Sequence, residues 1–197
     1  NMEAWDDLTI VHWDEAIRVD GSAFSGIARL TLLQVLHTHC REAGVDLEFG
    51  AQIDDPESLG ECDLLVGADG VNSVVRGANP EAYQSTVTAC TNRYIWYGTT
   101  RVFDTLSLIF RQNADGVFVA HTYRYSPTHS TFIVECDVET FEQSGLAAMS
   151  DAESRSYCET VFAADLQREP LLSNRSQWLQ FGVLRCKNWK SGNTVLL

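Results

Sequence analysis

No stretch of this chain approaches the roughly 18 consecutive apolar residues of a membrane span, and no cluster of lysine or arginine interrupts its acidic balance. No two of its cysteines stand at Cys-x-x-Cys spacing. The first absence argues against a transmembrane helix. The second, with 27 acidic residues against 14 basic ones and a net charge of -13, removes the positive footprint that binding to a phosphate backbone requires. The third leaves six scattered cysteines (Cys40, Cys62, Cys90, Cys136, Cys158 and Cys186), most among apolar neighbours, which read as reduced core thiols. His37-Thr38-His39-Cys40 is the nearest approach to a metal-ligand cluster. On a helix His37 and His39 diverge and only His37 and Cys40 share a face, so no metal site is expected. Internal repeats, low-complexity tracts and heptads are missing too, and Asn1 to Asp7 is acidic rather than signal-like. The expectation is a soluble, cytoplasmic protein with no nucleic-acid or membrane partner, whose 197 residues and 45% hydrophobic content suffice for a core in one domain or two small ones.

What is present begins with mixed strand and helix signals. Leu8 to Trp13 reads as a strand, followed by a turn near Asp20-Gly21. Between Ile27 and Ala43 the period changes: Leu33, Leu36, Cys40 and Ala43 recur at helical spacing, Leu32 and Val35 widen the stripe, and Gly44 supplies a stop. Val45 to Phe49 resumes a strand alternation, Gln52 to Glu61 is a polar connection, and Leu64 to Val66 is an apolar run of the kind buried in a parallel sheet.

After Pro80 the character shifts. Arg93 to Val102, Thr105 to Arg111, Gly116 to Tyr125 and Thr131 to Asp137 are rich in aromatic and β-branched residues and predict an antiparallel sheet. Turn residues at Asn113-Ala114-Asp115-Gly116 and Ser126-Pro127-Thr128-His129 favour hairpins. Ser150 and Glu153 form a capping-box signature ahead of a helix with Ala152, Tyr157, Val161, Phe162 and Leu166 on its apolar face. Trp178 to Cys186 is a further strand. Ser191-Gly192-Asn193 then turns the chain into Thr194 to Leu197, an apolar strand suited to returning to the α/β portion as a parallel strand. The fold class is α/β, α+β overall: a partial parallel-sheet portion joined to an antiparallel sheet.

The most informative run is Cys62 to Arg76, where a strand enters the turn Gly67-Ala68-Asp69-Gly70 and Asn72 or Ser73 stands ready to cap a short helix. A helix start after such a turn aims unpaired N–H groups at an anion, and Asp69 is placed to accept from a ribose hydroxyl or an arginine. An arginine at the start of the Ile27–Ala43 helix, Arg29, sits against the helix dipole and asks for an anionic neighbour; a solvated arginine, or one paired with Asp69, is the plainer alternative. Arg76 either closes its own helix through the last carbonyls or pairs with a diphosphate or an acidic neighbour.

The apolar strand, Gly-Ala-Asp-Gly, Ser73 and Arg76 together resemble the second flavin motif of the FAD-dependent aromatic hydroxylases, the group A flavoprotein monooxygenases. Phe24-Ser25-Gly26-Ile27-Ala28-Arg29 is similar to that family's arginine-bearing helix start. Tyr94 to Thr99, Phe118 to Tyr123 and Ser130 to Glu135 are similar to the substrate-side sheet of its members acting on aromatic acyl-CoA thioesters, the salicylyl-CoA 5-hydroxylase and 2-aminobenzoyl-CoA monooxygenase group. The resemblance implies FAD held in part by Arg29, Gly67, Ala68, Asp69, Gly70 and Arg76, with NAD(P)H as reductant. It implies O2 as the oxygen source and an aromatic substrate, free or CoA-linked. It divides the chain into strands over residues 1–25, a partial FAD-binding portion over 26–80, a substrate-side sheet with helix over 81–190, and a returning strand of the FAD portion over 191–197. Tyr97, His121 and Tyr123 lie on strands that would line a ring pocket, yet each is at home on a half-buried sheet face, and none is assigned as a catalytic base.

The chain departs from that family in lacking Gly-x-Gly-x-x-Gly and in stopping where the family continues into a Gly-Asp motif. It reads as the middle of a longer enzyme, inactive by itself. Two other readings stay open: a non-catalytic module binding a ligand or protein, and a flavin-dependent reductase or halogenase of the same fold. Oligomeric state is left undetermined.

Overall fold

Alternating β-branched and aromatic residues between tight turns make this chain predominantly sheet, as its computed structural model, which describes residues 2–197, shows. Asn1, within the segment expected over 1–25, lies outside the described residues. In chain order the strands are β1 (Glu3–Trp5), β2 (Leu8–His12), β3 (Glu15–Val19), β4 (Phe24–Gly26), β5 (Leu65–Gly67), β6 (Ser85–Thr99), β7 (Leu106–Asn113), β8 (Gly116–Ser126), β9 (His129–Cys136), β10 (Leu171–Leu172), β11 (Leu179–Cys186), β12 (Lys190–Ser191) and β13 (Thr194–Leu196). The helices are α1 (Arg29–Glu42), α2 (Val74–Ala78), α3 (Pro80–Tyr83), α4 (Val138–Gln143), α5 (Asp151–Val161) and α6 (Ala163–Leu166). The chain divides into two compact units: the chain up to Gly44 with Thr91–Phe181, and Val45–Cys90 with Gly182–Leu197. Among the described residues no helix is long and apolar enough to cross a membrane.

The first unit carries the order β10-β6-β9-β8-β7-β2-β3, antiparallel except for the β2–β7 pair. The two hairpins form at the expected turns, with Asn113 accepting from the Asp115 N–H at 2.9 Å and Gly116 at φ +139. Strand alternation then sorts the side chains. Ile95, Tyr97, Phe118, Ala120, Phe132 and Val134 point into a core closed by Phe141, Leu146, Cys158, Phe162 and Leu166 from the helical segments. Phe132 meets Phe162 edge-on at 5.3 Å between centroids. Burying each such phenyl ring contributes roughly 1.5–3 kcal/mol. Helix α5 starts with the full capping box at Ser150 and Glu153. Its buried face centres on Ser154 and Cys158, while Ala152, expected on that face, is exposed.

Three further expectations are corrected. A hairpin turning at Trp13, with φ +57, precedes the Asp20-Gly21 turn and adds strand β3. Val45 to Phe49 forms no strand, because a strand needs a neighbouring ladder and alternation alone supplies none. Leu64 and Val66 are exposed rather than buried: β5 is the edge of the order β12-β13-β5 in the second unit, with β13 parallel to it in the register Leu65↔Thr194, Val66↔Val195 and Gly67↔Leu196. Helix α1 forms with the expected span, yet its leucine stripe has no buried residue.

Candidate functional site

In the second unit, β5 ends at Gly67 and the chain turns through Ala68-Asp69-Gly70 into α2. Gly67 is buried, and a Cβ there would lie 2.9 Å from the Val75 Cβ, so its lack of a side chain lets α2 pack on the strand. Gly70 differs. It has φ +84 with nothing within 4 Å of a built Cβ, so backbone conformation demands glycine there. Ala68, Asp69 and Gly70 are all exposed.

The start of α2 is satisfied from within. Ser73 is its N-cap, accepting from the Arg76 N–H at 3.0 Å, and Asp69 Oδ2 accepts from the N–H groups of Val74 at 2.7 Å and Val75 at 3.4 Å. Partial desolvation disfavours the Asp69 anion, but hydrogen bonds from the Ser73 hydroxyl and the Val74 and Val75 amides outweigh it and hold the carboxyl below its usual range. The helix N–H groups expected to face an anionic ligand therefore already face Asp69. Arg76 donates to the carbonyls of Gly70 and Val71, clasping the turn rather than the end of its helix.

The first unit presents the outward face of its large sheet. Its grid follows from register: Gly98, Thr131 and Tyr123 form one cross-strand row, and Trp96, Ile133 and His121 form the next. Strands β1 and β4 lie over one end, with Phe24 against Tyr123 at 5.6 Å and Trp5 against Phe24 at 5.7 Å. Gly26 lies so close to β8 that a Cβ would fall 2.4 Å from the Arg124 carbonyl oxygen. From there the chain enters α1 at Arg29, and a cavity of about 640 Å³ opens, lined by Arg29, Leu32, Trp96, Tyr123, Tyr125 and Thr131 among others. Arg29 is exposed and makes no ion pair among the described residues.

Tyr97 and Tyr123, grouped as ring-lining candidates, separate. Tyr123 lies on the outward face, whereas Tyr97 turns into the core, its hydroxyl 3.2 Å from Ser154 Oγ, and burial pushes its pKa up to about 12. His121 stays outward, 3.2 Å from Glu135 through Nε2 and Oε2. Sequence reasoning did not pair them. The signal is present but readable only with register: His121 faces Ile133, which puts Glu135 on its diagonal.

No protein-family model matches the chain. Over 98% of its length it is 37% identical to a Salicyloyl-CoA 5-hydroxylase from Streptomyces sp, covering 39% of that protein. Over its whole length it is 35% identical to a Protodeoxyviolaceinate monooxygenase from Chromobacterium violaceum, covering 54%. It is also 35% identical to a 3-hydroxy-4-methyl-anthranilyl-[aryl-carrier protein] 5-monooxygenase from Streptosporangium sibiricum, covering 52%. The chain thus spans about two fifths to one half of the relatives it matches. Among solved structures it resembles a 2-methyl-3-hydroxypyridine-5-carboxylic acid oxygenase (TM-score 0.71, 15% identity, 97% of this chain and 56% of that one). It also resembles a probable FAD-dependent monooxygenase from Pseudomonas aeruginosa (TM-score 0.68, 18% identity, 100% and 60%). A flavin-dependent brominase shares the fold as well (TM-score 0.69, 10% identity, 100% and 55%). The chain is a homologue of about two fifths to one half of each of these monooxygenases, and it has the α/β fold of the FAD-dependent hydroxylases.

Proposed function

We propose that this chain is a segment of an FAD-dependent monooxygenase that hydroxylates an electron-rich aromatic substrate, with NAD(P)H as reductant and O2 as oxidant, in the cytoplasm. The observation that carries the reading is the cavity of about 640 Å³ on the outward sheet face, walled by Trp96, Tyr123 and Tyr125 and rimmed by Arg29, which makes no ion pair among the described residues. Its size suits a small aromatic molecule. The aromatic walls bind a flat ring, and Arg29 attracts an anionic group such as a carboxylate or the phosphates of a CoA thioester.

The turn residues fit a flavin dinucleotide through one group in particular. Asp69, its carboxyl held below the usual range at an exposed lip, accepts from a ribose-type hydroxyl, and the empty space beside Gly70 admits a ligand against the backbone. Arg29 would offer its positive charge to an anionic group of a ligand, Gly67 and Arg76 would keep the turn in shape, and Ala68 would leave the lip uncrowded. Bound FAD supplies the oxygen-activating chemistry, and the protein supplies binding, orientation and a water-poor surface. On this reading residues 26–80 and 191–197 serve the cofactor and 81–190 the substrate.

The test is expression of the longest natural form of the protein, assayed for NAD(P)H oxidation and product mass with salicyloyl-CoA and related hydroxy- and amino-aromatic acyl thioesters. The expected result is a product heavier by one oxygen atom, with no FAD-dependent NAD(P)H oxidation by the 197 residues alone. A halogenated product formed with halide present would favour the brominase-like alternative. Full-length protein that neither retains FAD nor oxidises NAD(P)H would refute the assignment.

A further inference from the structure

On the inward face of the large sheet, the one its helices cover, an arginine stands in line with core residues. Arg93 follows the phase of Ile95 and Tyr97 on β6, so its side chain leaves the sheet inward, and its register partner on β9 is the buried Cys136. Cζ lies 5.8 Å from the centroid of the Phe141 ring, and Nη1 is buried with no hydrogen-bond partner among the described residues. A ring face attracts the cation but does not replace an oxygen acceptor, and a buried charged donor left without one is costly. Neighbouring groups do not supply it. Burial pushes the Cys136 thiol up to about 12, which keeps it neutral. Glu135, the next residue on β9, points to the other face, where Asn92 Nδ2 donates to Oε1 at 2.7 Å and His121 Nε2 lies 3.2 Å from Oε2.

Arg93 lines a cavity of about 570 Å³ inside the first unit, a volume that suits a small organic ligand. Phe141, Leu146, Met149 and Trp178 give it apolar walls, the Phe141 and Trp178 rings standing 5.3 Å apart between centroids. Polar demand on that side is already met: Trp178 Nε1 donates to Ser154 Oγ at 2.8 Å, and the same oxygen lies 3.2 Å from the Tyr97 hydroxyl. Arg175 lines the cavity as well, and the lining carboxylate, Asp151, accepts from the Ser173 hydroxyl at 2.6 Å. Two guanidinium groups against one carboxylate leave the cavity positive in a chain whose net charge is -13. The segment that carries Arg175 is pinned on both sides of that residue. Ser173 holds Asp151, the Ser176 N–H donates to Ser173 Oγ at 3.2 Å, and the Ser176 hydroxyl donates to the Trp96 carbonyl of β6. A site held in this way is organised before its ligand arrives.

We infer that this cavity is a second ligand site, on the opposite face of the sheet from the aromatic cavity, and that it takes a small amphipathic monocarboxylate. Arg93 and Arg175 hold the carboxylate, and Phe141, Met149 and Trp178 hold its ring or chain. The planar carboxylate matches the guanidinium fork and gives the buried Nη1–H its missing acceptor. A single negative charge balances the cavity, whereas a phosphate dianion would add repulsion from Asp151. Binding here involves no chemical step, and the inference goes beyond the monooxygenase reading without resting on it.

The experiment uses the full-length, FAD-loaded protein and a photoreactive probe, a trifluoromethyl-diazirine derivative of benzoate, with the labelled residues located by mass spectrometry. Met149 or Trp178 should be labelled in the wild type. In Arg93→Met that labelling should fall about tenfold or more, the loss expected for one charge-assisted hydrogen bond, at an unfolding midpoint no lower than that of the wild type. The uncharged benzyl alcohol counterpart of the probe should label these residues about tenfold less than the benzoate does, and unlabelled benzoate should displace the probe at lower concentration than phenyl phosphate. Labelling confined to Tyr123 and Tyr125 would place the carboxylate in the outward cavity beside Arg29 and overturn the inference, as would a protein left unlabelled at Met149 and Trp178. Equal labelling by the alcohol, wild-type labelling in R93M, or stronger displacement by phenyl phosphate overturns it too. Should R93M fail to fold, Arg175→Met, at an exposed position, decides in its place: labelling undiminished there refutes the site. All of these are binding readouts, so their failure leaves the monooxygenase reading, which is tested by product mass, untouched.

Discussion

Replacing Gly67 with alanine perturbs the candidate cofactor turn through packing alone, and the structure sets the size of the effect. The added Cβ would stand 2.9 Å from Val75 Cβ, 3.0 Å from its Cγ1 and 3.1 Å from Leu196 Cδ2. Leu196 can rotate away. Val75 Cβ is bonded to the helix backbone and cannot, so α2 itself must retreat from β5 by about 0.5–1 Å to reach ordinary carbon contacts of about 3.5–4.0 Å. Overpacking of this kind costs about 1–3 kcal/mol, equivalent to a roughly 5- to 150-fold rise in local opening at about 1.4 kcal/mol per decade. Hydrogen exchange over α2 and over the Leu197 amide, which donates to the Gly67 carbonyl at 3.0 Å, reads that opening directly. Because the obstacle is a Cβ, Val75→Ala should leave most of the penalty in place. Val75→Gly should relieve it, less about 1 kcal/mol for glycine in a helix. A G67A protein with protection within twofold of wild type, or rescue by V75A as complete as by V75G, would show that α2 does not rest on Gly67 in this way.

Two further outcomes are expected. The Asp69 carboxyl is held below its usual range in the folded state, so its cap on α2 is fully present above the ordinary carboxylate range and is lost as pH falls through the depressed folded value; exchange protection of α2 should decline on acidification in wild type and stay flat in Asp69→Asn, and parallel declines in both would count against the cap. Arg111 binds both oxygens of Asp165 at 2.6 and 2.8 Å and also reaches the Trp13 carbonyl, tying β7 to α6 and to the β2–β3 turn; Asp165→Asn should cost about 1.5–3 kcal/mol, seen as a lower urea midpoint at unchanged slope, and a loss below about 0.5 kcal/mol would mean that solvent already screens the pair.

Legibility in the sequence followed the range of the interactions. The β7–β8 and β8–β9 hairpins, the Ser150 capping box and the α1 span were readable because each depends on residues a few positions apart. The turn at Gly67–Gly70 was readable as a turn for the same reason. Its internal economy was not: whether the amides of α2 meet a ligand or Asp69 depends on where one carboxylate points, and composition does not encode that. Val45 to Phe49 misled because alternation describes a strand's faces and says nothing about whether a neighbour exists to pair with it. Tyr97 and Tyr123, similar in sequence context, end on opposite sides of the sheet because their strand phases differ.

The amino-acid order by itself determined the classes of element, the glycine-flanked carboxylate and the likeness to flavin-dependent hydroxylases, since propensity, capping and turn chemistry act over a handful of bonds. Tertiary structure alone decided that Glu135 stands diagonal to His121 with Asn92 behind it, that Asp69 serves its own helix, and that Arg29 opens onto an aromatic cavity. Those relations are fixed by strand register and by packing between residues tens of positions apart, which no local pattern records.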